Sequence, residues 1–107
     1  MIVAIGAPAW TFARDVVISI QERELPDRIT VDAGSKLVIV NEDEVFHSLF
    51  SDTTGHKFNM GTQLPGQTKS VALDTPGDLQ VRCWIHPSIR MDVHVQDGTR
   101  DLTDGQP

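Results

Sequence analysis

Four side chains in this sequence could converge on one metal ion. Cys83, His86 and Met91 fall in a single stretch, Cys83-Trp84-Ile85-His86-Pro87-Ser88-Ile89-Arg90-Met91, and His47 lies well before it in Val45-Phe46-His47-Ser48. One thiolate and two imidazoles make a trigonal donor set, and with a weak axial ligand that set is the arrangement of blue-copper electron-transfer sites. The soft thiolate favours Cu(I) and imidazole suits Cu(II), so a rigid compromise geometry lets the charge change with little rearrangement. Taken one at a time these residues are ordinary. A single cysteine in a strand is commonly a small buried hydrophobe, a methionine in a last strand fills core, and a C-x2-H pair is a weak motif. The other histidines do not join the set: His56 is expected in a solvated loop and His94 on the outward side of a strand. Met60 is expected to pack in core or loop, and Gly61 receives no role.

The elements that must position these residues are short and extended. Helical periodicity is nearly absent, whereas β-branched runs alternate with turn signals. Strands are predicted at Val16–Ile20, Arg28–Val31, Lys36–Val40, Val45–Phe50, Thr68–Leu73, Leu79–Cys83 and Met91–Gln96. Between Ser51 and Gly66 a long loop holding one short strand at most is expected. Asp32-Ala33-Gly34-Ser35 and Thr75-Pro76-Gly77-Asp78 supply turns. The pattern predicts an all-β, Greek-key sandwich of seven to eight strands with antiparallel pairing. Alternation places Leu79, Val81 and Cys83 on one face, and Ile89, Met91, Val93 and Val95 inward.

Composition narrows the function classes. A chain of 107 residues is one domain's worth, expected here as a single domain over 1–96 followed by a polar C-terminal tail over 97–107 that frays. With 39% hydrophobic residues, only 6% aromatic and no tyrosine, aliphatic side chains must do most of the packing. The formal charge of −6 speaks against nucleic acid as a partner. No apolar run approaches the roughly 20 residues that span a bilayer. Met1 to Ala13 is apolar but lacks a basic leading region and is not read as a secretory signal. The one cysteine excludes an intramolecular disulfide. Glu42-Asp43-Glu44 reads as a solvated acidic turn, with steering of a basic partner as the sharper alternative.

Taken together, Leu25-Pro26-Asp27-Arg28-Ile29-Thr30-Val31-Asp32-Ala33-Gly34, the Val40-Asn41-Glu42-Asp43 turn before His47, Thr75-Pro76-Gly77 and Cys83-x2-His86-Pro87 resemble the cupredoxins, the small blue copper proteins. The resemblance covers roughly Val16 to Val95. It implies one type 1 copper ion bound by His47, Cys83 and His86, with no catalysis and single-electron exchange with a redox protein such as a cytochrome. It also implies a monomer in the periplasm or another extracytoplasmic space. Copper storage or delivery, and a structural domain excised from a larger oxidoreductase, are the alternatives. The family's asparagine after the first histidine is replaced by Ser48, whose hydroxyl is expected to bond the backbone near Trp84. Two loop spacings are open for the axial position. C-x2-H-x4-M puts the thioether of Met91 there, the expected donor, whereas C-x2-H-x2-M would put Ile89 there and leave copper three-coordinate. Ile85, Pro87 and Ile89 are expected to collar His86, with Trp84 pointing away from the metal.

Overall fold

A computed structural model describes residues 14–97 of the chain. The apolar segment from Met1 to Ala13, and all but the first residue of the 97–107 tail, lie outside the described residues. Eight strands are present: β1 Asp15–Ile20, β2 Arg28–Asp32, β3 Ser35–Asn41, β4 His47–Ser51, β5 Phe58–Gln63, β6 Thr68–Leu73, β7 Gly77–Cys83 and β8 Arg90–Gln96. No helix lies among the described residues, so the expected all-β class holds. The strands form two sheets, β1-β3-β6 and β2-β8-β7-β4-β5.

Pairing is mixed rather than wholly antiparallel. β1 runs parallel to β3, and β2 runs parallel to β8. A parallel pair needs a long crossover, and here β2, crossing in the opposite sheet, supplies the one between β1 and β3. Local alternation carries no information about such pairing. The segment from Ser51 to Gly66 holds one strand, β5, whose pattern is blurred by Asn59 and by Gly61 at φ 74°.

The core lies between the sheets and is aliphatic. Ile20, Leu37, Ile39, Leu49, Val81, Met91, Val93 and Val95 are buried in one cluster that also contains Cys83 and Ile89. Leu79, Val81 and Cys83 face inward as alternation predicts, as do Met91, Val93 and Val95, while His94 stays outside bonded to Asp78 at 2.6 Å. Phe50 is buried apart from this cluster, stacked on the Trp84 ring with centroids 4.2 Å apart. Burying each large aliphatic side chain contributes about 1.5–3 kcal/mol, so the frame around the cysteine is stiff.

Candidate metal centre

The centre sits at one end of the sandwich, where β4 begins and β7 ends. Leu49 pairs with Cys83 across β4 and β7, and the Trp84 N–H continues that ladder by donating to the Ser48 carbonyl at 3.0 Å. His47, two residues from Leu49 on the same face, therefore stands one side-chain row beyond Cys83. Between β7 and β8 the chain turns back through His86, closed by the Ile89 N–H donating to the His86 carbonyl at 2.9 Å. The result brings three donors together. Cys83 Sγ lies 3.8 Å from His47 Nδ1 and 4.0 Å from His86 Nδ1. All three donor atoms fall within 4.8 Å of one another.

This spacing fits one ion. Metal–nitrogen bonds of about 2.0 Å and a metal–sulfur bond of about 2.3 Å, set at trigonal angles, place sulfur and nitrogen roughly 3.7 Å apart. The donor chemistry, one thiolate with two imidazoles, is that of a type 1 copper site. His47 is fully buried and Cys83 is 3% exposed, whereas His86 is half-buried and reaches the surface. The Ser48 N–H points at Cys83 Sγ from 3.4 Å. Ser48 thus joins the two ligand segments through its main chain, and not through the hydroxyl as expected from sequence.

A carboxylate completes the arrangement, and sequence reasoning missed it. His47 Nε2 lies 2.7 Å from Asp43 Oδ2, and the Asp43 side chain is only 8% exposed. With Nε2–H donating to Asp43, the lone pair is left on Nδ1, the nitrogen that faces the thiol. Burial pushes the Asp43 carboxyl upward, but the bond from His47 and those from the Arg23 and Glu22 amides outweigh it. The group is held below its ordinary pKa. The Arg23 N–H donates to Oδ2 at 2.9 Å from a tight turn in which Glu22 and Arg23 take φ of 54° and 58°. Left-handed backbone in two consecutive non-glycine residues costs of order 1–3 kcal/mol each, and the carboxylate is what their amides serve. Glu42 accepts from the Gln21 side chain at 2.6 Å. The acidic turn is therefore only partly solvated: Asp43 is committed to the site and Glu42 to the neighbouring turn. The signal in sequence was an acid four residues before a histidine, blurred by the acids on either side of it.

Asn41 aims this turn. Its buried amide donates to the Val45 carbonyl at 2.9 Å and the Gln63 carbonyl at 3.1 Å, and its Oδ1 accepts from the Asp43 N–H at 2.9 Å. Replacing Asn41 with alanine leaves these buried groups unpaired and is expected to cost roughly 2–4 kcal/mol. A lowered urea midpoint at unchanged slope would record it.

The remaining residues fall as follows. Met91 is fully buried opposite Val81, in the pair next to Arg82–Arg90. Continuing that register, the position facing Cys83 belongs to Ile89, 2% exposed. Trp84 lies outside, 62% exposed on Phe50, as expected for a residue pointing away from the centre. His56 is apart from the cluster but not free in solvent: its Nε2 lies 3.2 Å from the Thr75 carbonyl, which ties the β4–β5 loop to the β6–β7 turn. His94 is also apart, and Met60 packs against the core.

No family model matches the chain. It is 34% identical over 85 residues to the methylamine utilization protein MauL of Methylorubrum extorquens, covering 78% of this chain and 75% of that protein. It is 35% identical over 65 residues to MauL of Methylophilus methylotrophus, covering 58% of this chain but only 37% of that longer relative. Among solved structures it resembles a Cu(I) form of an amicyanin variant with a TM-score of 0.71 at 18% identity, over 77% of this chain and 82% of that one. Amicyanin from Paracoccus versutus matches with a TM-score of 0.68 at 23% identity, over 77% and 81%. The likeness to amicyanin is one of fold.

Proposed function

This chain belongs to the family of MauL and has the cupredoxin fold, and on that premise we propose that it is a one-electron carrier in which His47, Cys83 and His86 hold one copper ion. The observation that carries this reading is the approach of one buried sulfur to two imidazole nitrogens at 3.8 and 4.0 Å. Bound copper supplies reversible Cu(II)/Cu(I) chemistry. The protein's own residues do the rest. Cys83 offers a soft thiolate shielded from water. Asp43 fixes the ring of His47, and the Ser48 amide supports the sulfur, so the donors are held in place when the charge changes.

Electrons enter and leave at His86 in this proposal. Its ring is half-buried, and in the chain segments that carry the ligands Phe46, Trp84 and Ile85 are exposed. An apolar surface of this kind supports close, short-lived docking of a redox protein such as a cytochrome. The role is that of a carrier and not an enzyme. Among the described residues no helix is long and apolar enough to cross a membrane. A monomeric state, a periplasmic or otherwise extracytoplasmic location, and one domain over 1–96 with a polar tail over 97–107 belong to the same proposal.

Adding Cu(II) to the purified protein is expected to produce an intense visible thiolate-to-copper band at one equivalent, with reversible voltammetry. Copper uptake without that band would favour storage or delivery, and no uptake would favour a structural module.

A further inference from the structure

We propose that the axial neighbour of the metal is Ile89, that Met91 does not ligate, and that the centre is a three-coordinate copper site of raised reduction potential. The inference rests on the copper reading above and sharpens it. Loop spacing alone left both residues open, because both side chains face inward. Strand register separates them. β7 and β8 pair Leu79 with Val93, Val81 with Met91 and Arg82 with Arg90. Residues directly opposite in an antiparallel pair share a face, so Met91 lies beside Val81 and the next inward row pairs Cys83 with Ile89.

The direction of the donors then decides. Leu49 shares the Cys83 row on β4, and His47 stands one row further toward the end of the sandwich. His86 lies in the loop beyond β7, on that same side. The three donors therefore meet at or beyond the Cys83 row. Met91 is displaced from that row by two residues, roughly 6.5 Å along the strand, and in the opposite direction. It is fully buried in the aliphatic cluster. Ile89 is the inward side chain level with the sulfur, and the Ile89 N–H to His86 carbonyl bond clamps it there.

An isoleucine offers no lone pair. Removing a thioether withdraws a donor that favours the oxidised ion, and the reduced set of Cu(I) with one thiolate is neutral, which an apolar pocket also favours. The neutrality is common to both kinds of site, so it is the missing donor that raises the potential above that of the same site with a thioether. The physiological electron acceptor must therefore be a stronger oxidant than a thioether-ligated copper centre would need.

The test compares the copper-loaded wild type with Met91→Leu and Ile89→Met, by visible and electron paramagnetic resonance spectra and voltammetric midpoint. Met91→Leu nearly conserves volume and is tolerated in most cores, and it is expected to leave band position and midpoint unchanged. Ile89→Met is expected to shift the charge-transfer band and lower the midpoint. A Met91→Leu protein with an altered spectrum and a raised midpoint would overturn the assignment, whatever Ile89→Met does. Absence of a thiolate band in the wild type would instead overturn the copper reading itself.

Discussion

Cys83→Ser is expected to abolish the intense visible band of the copper-loaded protein and to leave at most a weak, colourless Cu(II) site. The band requires a thiolate bonded to the metal, and the Cys83 sulfur lies within reach of both His47 Nδ1 and His86 Nδ1. A serine hydroxyl is hard and stays protonated at neutral pH, so preference for Cu(I) should disappear together with the colour. The fold should survive. The substitution is nearly isosteric, and a buried hydroxyl without a full partner costs about 1–3 kcal/mol. Circular dichroism matching the wild type, combined with an unaltered blue spectrum, would rule the cysteine out as the ligand.

The second large effect is expected at Asp43. Asp43→Ala removes the acceptor for the His47 ring and should weaken Cu(II) binding about 10–100-fold, the usual consequence of losing a carboxylate behind a ligating histidine. Asp43→Asn separates geometry from charge. Oδ2 is the atom that both His47 Nε2 and the Arg23 amide reach, so one amide oxygen can keep both bonds without the negative charge. Asparagine should therefore retain most of the affinity, while the loss of a nearby anion favours the less positive reduced site and raises the midpoint. Equal losses in both variants would assign the effect to charge alone. Because the folded pKa of Asp43 is depressed, its contribution to stability is present above the ordinary carboxyl range, near 3.9, and fades as pH falls through the lower folded value. Denaturation of wild type and Asp43→Asn followed by circular dichroism should therefore show the charge-dependent advantage of wild type above that range, shrinking as acid is added.

Much of this was legible in one chain. The alternation Leu79-Val81-Cys83 and Met91-Val93-Val95 announces inward faces, and the joint occurrence of His47, Cys83 and His86 among short strands announces a copper-type donor set. What was hidden depends on distance in space. The parallel placement of β1 and β2 follows from which sheet each strand joins, and neither strand's residues encode it. Asp43 looked like one acid among three because only the Asn41-shaped turn distinguishes it from Glu42 and Glu44. Ser48 stands where the family has an asparagine, which suggests a side-chain bond, whereas the ladder between β4 and β7 uses its main chain. The axial position turned on a count along the loop, and a count cannot say which residue faces the cysteine until the β7–β8 register is known.

That register has a consequence for how the centre can be altered. The pairs from Gly77–Val95 to Arg82–Arg90 are set below the connection by core packing, while the segment from Trp84 to Ile89 lies above them. His47 and Asp43 form a constant half of the socket, anchored in β4 and its preceding turn. The connection is the adjustable half, and lengthening it exchanges the residue that faces the sulfur without asking anything of the sandwich. A scaffold divided in this way can drift between working voltages by small insertions and deletions in one hairpin, keeping its fold while it changes the partners it can serve.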